Sequence, residues 1–194
     1  MIGVILCGGQ STRMGTDKGL IKLHANTWAQ TAADKLSSLG LNTYLSVNEI
    51  QFSDYSEVFP ATKLIKDNLA LGIKGPLAGV LSVHVQFPGE DLFVLACDMP
   101  LMEASVLDQI LAVYNEQPSA DAYVFMNAGE PEPLCAIYTS KGLSYIHHLL
   151  KEKELTRHSM KFMLEHIQTC SIPLDEDQKK YFRNFNAHAE LNGL

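Results

Sequence analysis

Short apolar runs alternate with amphipathic segments along most of the chain, and this alternation restricts the fold more than any other feature. The first run, MIGVIL, leads into a glycine-rich loop, and apolar residues at helical spacing then extend from Trp28 to Leu39. Further apolar runs lie at residues 41–48, 63–67, 91–98, 121–127 and 133–138. Helical patterns lie between them at residues 75–86 and 104–116. Such alternation is typical of β-α units, so we predict an α/β fold with a mostly parallel sheet.

The charge and composition of the chain argue against several classes of protein. Its 194 residues have a formal net charge of -7, whereas binding to a nucleic-acid backbone usually needs a basic face. No run approaches the ~18 consecutive apolar residues of a membrane span, and the opening residues do not resemble a signal peptide. The four cysteines are scattered and form no C-x-x-C pair, which argues against a disulfide framework or a common zinc motif. We expect a single cytoplasmic domain over residues 1–194, with no nucleic-acid or membrane partner.

The loop after the first run, LCGGQSTRMGTDKG at residues 6–19, contains the most informative site candidates. It matches neither the Walker A loop nor the G-x-G-x-x-G dinucleotide fingerprint. Gly8 and Gly9 would let backbone amides approach a ligand closely, and Arg13 and Lys18 would supply two cations for a polyphosphate. The alternative is an ordinary glycine-rich turn between a strand and a helix. The combination of Gly-Gly with Arg and Lys favours the phosphate site.

Further polar residues follow the predicted strands, where open α/β sheets bind their ligands. They are Asn48, Asp67, Asn68 and Asp98, together with Asn184 and Asn186 near the end of the chain. Asp98 follows the most apolar run, and a single carboxylate there suits Mg²⁺, which takes one or two protein carboxylates plus substrate phosphates and water. The alternative is that Asp98 caps the next helix. Because residues 99–102 separate it from that helix, we prefer the metal role.

Six motifs in a fixed order give the chain a resemblance to a known family. They are LCGGQSTRMGTDKG, DN at 67–68, GPLAG at 75–79, ACDMP at 96–100, PEPLCAIY at 131–138 and FRNFNAHAEL at 182–191. The chain resembles the molybdenum cofactor guanylyltransferases over nearly its whole length. The resemblance implies a Rossmann-like nucleotidyltransferase fold, a three-layer α/β/α sandwich with a mostly parallel central sheet. It also implies transfer of GMP from GTP to the terminal phosphate of molybdopterin, with release of pyrophosphate.

The same resemblance assigns nucleotide binding to the N-terminal half of the chain and acceptor binding to the C-terminal half. It implies that the nucleotide is held by Leu6, Cys7, Gly8, Lys18, Asn48, Asp67 and Asp98, in addition to Gly9 and Arg13 from the loop pattern. We expect Arg13, Lys18 and Asp98 to be catalytic, with Mg²⁺ on Asp98. No side-chain nucleophile is required, because such transfers depend on positioning and charge neutralisation.

The acceptor side is assigned to four residues. The resemblance makes Arg157 the best contact for the pterin or its phosphate, and Lys161, one helical turn later, would share its face. Asn184 and Asn186 complete the set. Solvated surface charge is an equally good interpretation of Arg157 and Lys161.

The first glycine of the loop bears on the choice of base. The resembling guanylyl enzymes carry Gly-Gly, whereas related cytidylyl enzymes carry Ala-Gly, so Gly8 predicts GTP. The alternatives are a cytidylyltransferase for molybdopterin, a nucleotidyltransferase for a sugar or alcohol phosphate, and an inactive nucleotide-binding regulatory protein. GTP and molybdopterin are the expected small-molecule partners, and molybdenum-insertion proteins and molybdoenzyme chaperones the expected protein partners. Cys7 stands where the family usually has Ala.

Overall fold

The computed structural model describes residues 1–8, 17–23 and 25–185, in which strands and helices alternate. The strands are β1 (Ile2–Leu6), β2 (Lys22–Leu23), β3 (Asn26–Thr27), β4 (Thr43–Val47), β5 (Leu64–Lys66), β6 (Leu92–Ala96), β7 (Ala122–Asn127), β8 (Glu130–Tyr138) and β9 (Thr169–Pro173). The α-helices are α1 (Trp28–Ser38), α2 (Phe52–Ser56), α3 (Pro76–Gln86), α4 (Ala104–Glu116), α5 (Ser140–Lys151) and α6 (Met160–Leu164). Short 3-10 helices cover Lys18–Leu20, Ala61–Lys63, Leu69–Leu71 and Glu176–Phe182.

Seven of the described strands form a single sheet in the order β5-β4-β1-β6-β8-β7-β9. Within that sheet, as far as the structure describes it, β8 is the one strand that runs antiparallel to both of its neighbours. The contacts β1–β4, β1–β6, β4–β5 and β7–β9 are parallel. The predicted mostly parallel sheet is therefore confirmed.

Helices cover both faces of the sheet. Leu36 of α1 and Leu107 of α4 belong to the core on one face, and Leu81 of α3 and Ile146 of α5 belong to the core on the other. All five residues of β6 are buried, as expected for a central strand covered on both sides. These layers form the predicted α/β/α sandwich. Among the helices of the described ranges, none has the length and apolarity needed to cross a membrane.

Helix α3 begins at the edge of the sheet where β4 ends. Gly75 precedes it with a φ of 78°, a conformation that glycine adopts without strain, and Pro76 occupies its first turn. A Cβ at Gly79 would lie 2.5 Å from the Ser46 Oγ, so glycine lets α3 approach β4 closely. The start of α3 is thereby held beside the ends of the central strands.

The order of the strands reverses at β1. After β1 the chain builds β4 and β5 on one side, and then crosses through α3 to build β6 on the other. A crevice forms at such a switch point, outside the carboxyl ends of the strands, and open α/β sheets bind ligands there. We call this side of the sheet, where β1, β4, β5 and β6 end, the carboxyl edge, and the opposite side the amino edge.

Candidate active site

Two adjoining cavities open at the carboxyl edge of the described structure. The smaller, of about 160 Å³, is lined by residues that include Leu6, Cys7, Gly8, Lys18 and Asp98. The larger, of about 650 Å³, is lined by residues that include Gly8, Asn48, Asp67, Ile50 and Leu69. Leu6, Gly8 and Pro76 line both, so the two are continuous. The fold thus collects the sequence candidates from β1, β4, β5 and β6 around one cleft.

The small cavity holds an ion pair. Lys18 Nζ lies 3.6 Å from Asp98 Oδ2, and both side chains are about three-quarters buried. Burial raises the pKa of Asp98, and the Lys18 ammonium opposes that rise. Helix α4 begins at Ala104 and its cap residue is Glu103, so the alternative role of Asp98 as a helix cap is excluded.

The large cavity contains a half-buried carboxylate. Asp67 follows β5, and Ser46 at the end of β4 donates a hydrogen bond of 3.4 Å to its Oδ1. Burial raises the pKa of Asp67, and the Ser46 hydroxyl opposes that rise. A Cβ built on Gly8 would point toward this carboxylate and lie 4.0 Å from its Oδ2. Gly8 and Asp67 therefore lie close together in the lining of the large cavity.

Apolar side chains form the rim of the large cavity. Ile50, in the turn after β4, is 89% exposed, and Leu69, in the 3-10 helix after β5, is 80% exposed. Large apolar side chains in water at the mouth of a cleft are typical of a binding surface. The combination of an apolar rim and a polar interior suits a nucleobase.

The end of the described chain returns to Asp98. The backbone N–H of Phe185 donates a hydrogen bond of 3.1 Å to the Asp98 carbonyl oxygen. The Phe185 ring is buried and packs edge-on against Trp28. These contacts place Asn184, which is exposed, next to the end of β6. Gly9, Arg13 and Asn186 lie outside the described residues.

Arg157 and Lys161 do not share a helical face. Helix α6 begins at Met160, so Arg157 precedes it. The Lys161 ammonium pairs with Glu130 at 2.7 Å, and the Arg157 guanidinium lies over the Phe162 ring at 4.6 Å. The expectation of a shared face is wrong because the helix begins at Met160, three residues after Arg157. In the described structure neither side chain lines the two cavities of the carboxyl edge.

Three polar residues at the small cavity are not among the sequence candidates: Asp17, which lines the cavity, and Gln51 and Tyr55, which contact Asp17 from behind the lining. The Asp17 carboxylate accepts hydrogen bonds from the Tyr55 hydroxyl at 2.6 Å, from the Gly19 N–H at 2.9 Å and from the Gln51 amide. Asn48 and Gln51 carry a recognisable local signal, because Asn48 Oδ1 accepts the Gln51 N–H in a side-chain turn. Tyr55 carries no such signal.

Gly19 lies against Tyr55, and this contact gives a stability prediction. A Cβ at Gly19 would clash with the Tyr55 hydroxyl oxygen, whereas a Cβ at Gly89 would have none of the described atoms within 4 Å apart from those of its chain neighbours. We expect Gly19→Ala to lower the free energy of unfolding by about 1 to 3 kcal/mol through overpacking. Gly89→Ala is the matched control and should change it little. Chemical denaturation of both variants tests this, and equal stabilities would contradict the contact.

A mostly parallel sheet with a lysine, a carboxylate and a cleft at its switch point is the arrangement expected of a nucleotide-binding α/β enzyme, and a family model identifies the class as nucleotidyltransferase. This model, described as the MobA-like NTP transferase domain, matches residues 3–169. The chain belongs to this family.

Named relatives of similar length agree with this assignment. The chain is 29% identical over 199 residues to a probable molybdenum cofactor guanylyltransferase of Geobacillus sp. (strain WCH70), covering 100% of this chain and 97% of that protein. It is 28% identical over 190 residues to the molybdenum cofactor guanylyltransferase of Campylobacter jejuni (strain RM1221), covering 96% and 91%. The crystal structure of molybdopterin-guanine dinucleotide biosynthesis protein A from Archaeoglobus fulgidus superposes with a TM-score of 0.76 at 22% identity, covering 100% and 96%. This last likeness shows the fold.

The family suggests a divalent metal, and the residues present fit one. The described residues contain no group of three or more His, Cys, Asp or Glu side chains that could hold a metal ion by themselves. Asp98 does offer a carboxylate to the small cavity beside Lys18. A hard cation that completes its shell with substrate phosphates and water needs one such carboxylate. The donor set therefore suits a cation that binds together with the nucleotide.

Proposed function

We propose that this protein transfers GMP from GTP to the terminal phosphate of molybdopterin and releases pyrophosphate. The observation that carries the proposal is the Lys18–Asp98 pair in a small cavity that opens into a base-sized cleft containing Asp67. The names of the relatives supply the acceptor. The expected cytoplasmic location is part of the same proposal.

Lys18 and Asp98 have different proposed roles at the triphosphate. The Lys18 ammonium would bind phosphate oxygens, and Asp98 is the residue that would hold Mg²⁺. When bound, Mg²⁺ neutralises charge on the triphosphate and polarises its phosphoryl oxygens. An oxygen of the acceptor phosphate forms a bond to the α-phosphorus, and the bond from that phosphorus to the β-phosphate bridging oxygen breaks, so that pyrophosphate leaves. Arg13 is assigned to the triphosphate on the loop pattern.

The nucleotide base is assigned to the large cavity. Asp67 is a pure acceptor when ionised, and guanine presents two adjacent donors, N1–H and the N2 amino group, on one edge. Cytosine lacks that pair. Asn48 and the backbone of residues 6–9 complete the proposed nucleotide contacts.

The acceptor is assigned to the C-terminal half of the single proposed domain. Asn184 supports this, because the Phe185 contact brings it beside Asp98. Asn186 remains a prediction, and Arg157 and Lys161 are the more distant candidates. Molybdenum-insertion proteins and molybdoenzyme chaperones also remain predictions.

A product assay tests the function and the base together. Purified protein is incubated with molybdopterin and each Mg²⁺-nucleoside triphosphate, and pyrophosphate and dinucleotide are measured. We expect a higher kcat/KM for GTP than for CTP, because a site that pairs its buried polar groups with guanine leaves them unpaired with cytosine. CTP used as well as GTP would establish the cytidylyl alternative instead. An absence of dinucleotide with every triphosphate would remove molybdopterin as the acceptor.

Gly8→Ala should reduce the preference for GTP over CTP. Gly8 lines the large cavity proposed for the base, and among the described residues, its chain neighbours aside, the atom nearest to the added Cβ would be Asp67 Oδ2 at 4.0 Å. The variant should therefore fold normally and lose about tenfold in kcat/KM for GTP, with a smaller loss for CTP. Gly89→Ala again serves as the control. Equal losses for both nucleotides would contradict a role for Gly8 in base choice.

A further inference from the structure

Gln51 connects three segments of the proposed nucleotide site from below. Its side chain is buried, with 6% of its surface exposed. Its Nε2 donates to the Cys7 carbonyl oxygen at 2.9 Å and to the Asp17 carboxylate. Its Oε1 accepts the backbone N–H of Asn48 at 3.0 Å. One amide thus joins the end of β1, the segment that leads into Lys18 and the turn after β4.

Tyr55 makes a second contact with Asp17 from the same helix. It lies four residues after Gln51, so the two side chains share a face of α2. Its hydroxyl donates to Asp17 Oδ1 at 2.6 Å. Burial raises the pKa of Tyr55 far above its usual range, so the hydroxyl stays a donor. Two residues of a segment 34 and 38 positions away therefore fix one carboxylate.

Asp17 in turn fixes the backbone of Lys18. It precedes Lys18 directly and caps the 3-10 helix Lys18–Leu20 by accepting the Gly19 N–H at 2.9 Å. Its carbonyl oxygen accepts the Leu20 N–H at 3.1 Å. The turn fixes the backbone from which the Lys18 side chain extends into the small cavity, where its ammonium pairs with Asp98. Small displacements of a charged group in such a site have large effects on transfer rates.

We propose that Gln51 and Tyr55 are positioning residues, which hold Asp17 and through it aim Lys18 at the triphosphate. The proposal rests on the proposed nucleotide role of Lys18, but it is independent of which base or acceptor the enzyme uses. Within the described structure, neither Gln51 nor Tyr55 lines the two cavities. The effect of Tyr55 on the reaction therefore passes through Asp17, whereas Gln51 acts through Asp17 and also through its hydrogen bonds to the backbones of Cys7 and Asn48.

The first test is Tyr55→Phe, which removes the hydroxyl and keeps the ring. We expect the KM for the nucleoside triphosphate to rise about tenfold, as for the loss of a hydrogen bond to a charged group, while the KM for the acceptor stays unchanged. Tyr114→Phe is the matched control, because the Tyr114 hydroxyl also donates to a carboxylate, Asp91 Oδ2 at 2.5 Å, on the amino edge. It should change stability without changing either KM.

Gln51→Glu is the second variant, in case Tyr55→Phe does not fold. It keeps the size of the side chain, removes the amide donor and sets a negative charge against Asp17. Gln178→Glu is its control, because the Gln178 amide donates to Gln109 Oε1 at 2.8 Å, away from the two cavities. We expect Gln51→Glu to raise the KM for the nucleoside triphosphate at least tenfold, as Tyr55→Phe should. The control should leave this KM unchanged.

A double-mutant cycle separates positioning from general stability. Affinity is measured by calorimetry with whichever of GTP, CTP, ATP and UTP the unmutated protein binds most tightly, so that no acceptor is needed. If Tyr55 acts through Lys18, then Tyr55→Phe should lower the affinity for the triphosphate less than about twofold when Lys18 is already replaced by Ala. An equal cost in both backgrounds, or Tyr55→Phe matching Tyr114→Phe, would overturn the proposal.

The cycle also distinguishes this proposal from the proposed function. A strongly non-additive cycle combined with no transfer to molybdopterin would leave the positioning role in place and remove the acceptor assignment. Normal transfer with an additive cycle would remove the positioning role and leave the function. Binding of none of the four triphosphates would overturn both.

Discussion

Asp98→Ala is expected to fold and to lose turnover by about 1,000-fold or more, as when a group that stabilises transition-state charge is removed. Asp98 offers its carboxylate to the small cavity, and burial already raises its pKa, so a bound cation would relieve an unfavourable charge. Asp98→Asn should be partly active, since an amide oxygen binds Mg²⁺ more weakly than a carboxylate does. Pyrophosphate release measured against Mg²⁺ concentration tests both variants.

Asp91 is the matched control for Asp98, because the two residues flank the same strand, β6, at opposite edges of the sheet. Asp91 accepts hydrogen bonds from the Ser140 N–H at 2.6 Å and from the Tyr114 hydroxyl at 2.5 Å. Asp91→Ala should therefore lower the free energy of unfolding and leave the Mg²⁺ dependence of turnover unchanged. Unmutated activity and Mg²⁺ dependence in Asp98→Ala would remove the metal assignment.

Lys18→Ala is expected to lower kcat/KM for GTP by the ~1.5 to 3 kcal/mol of a charged hydrogen bond, which is about 10- to 150-fold. Stability should change little, because a separation of 3.6 Å is long for the ion pair with Asp98. Lys18→Arg keeps the charge but not the point geometry of an ammonium, so it should recover part of the loss. Calorimetry with GTP and steady-state kinetics measure the effect.

Lys141 provides the control for Lys18. Its ammonium pairs with Asp121 at 3.0 Å on the amino edge, so Lys141→Ala removes a lysine–aspartate pair far from the cleft. It should leave GTP affinity and turnover unchanged. If Lys18→Ala behaves in the same way, the assignment of Lys18 to the triphosphate is wrong.

The alternation of strands and helices could be predicted because each element has its own local pattern of apolar residues. Strand β6 is buried over its whole length, and its near-continuous apolarity shows this directly. The direction of β8 could not be predicted, since the same residues fit a parallel or an antiparallel neighbour. Helix α5 was missed although Leu143, Ile146 and Leu149 recur at helical spacing and are buried.

Some residues of the candidate site could be predicted from the sequence, and others could not. Asp98 follows β6 closely, so the topology brings it to the carboxyl edge, and Lys18 was recognisable from the charged loop pattern after β1. Gln51 and Tyr55 contribute through hydrogen bonds to a residue far away in sequence, and a buried polar network of that kind depends on tertiary packing. For Arg157 and Lys161 the sequence predicts a shared helical face that the structure does not contain. The spacing of the two residues is helical, but the helix begins only at Met160.

The apolar rim of the large cavity has a thermodynamic consequence. Ile50 and Leu69 stand almost fully in water, and a base bound in the large cavity that they line would remove part of their surface from water. Removing apolar surface from water gives a negative heat-capacity change on binding. The enthalpy of nucleotide binding should accordingly become more favourable as temperature rises, and the rim's share of the affinity should weaken on cooling.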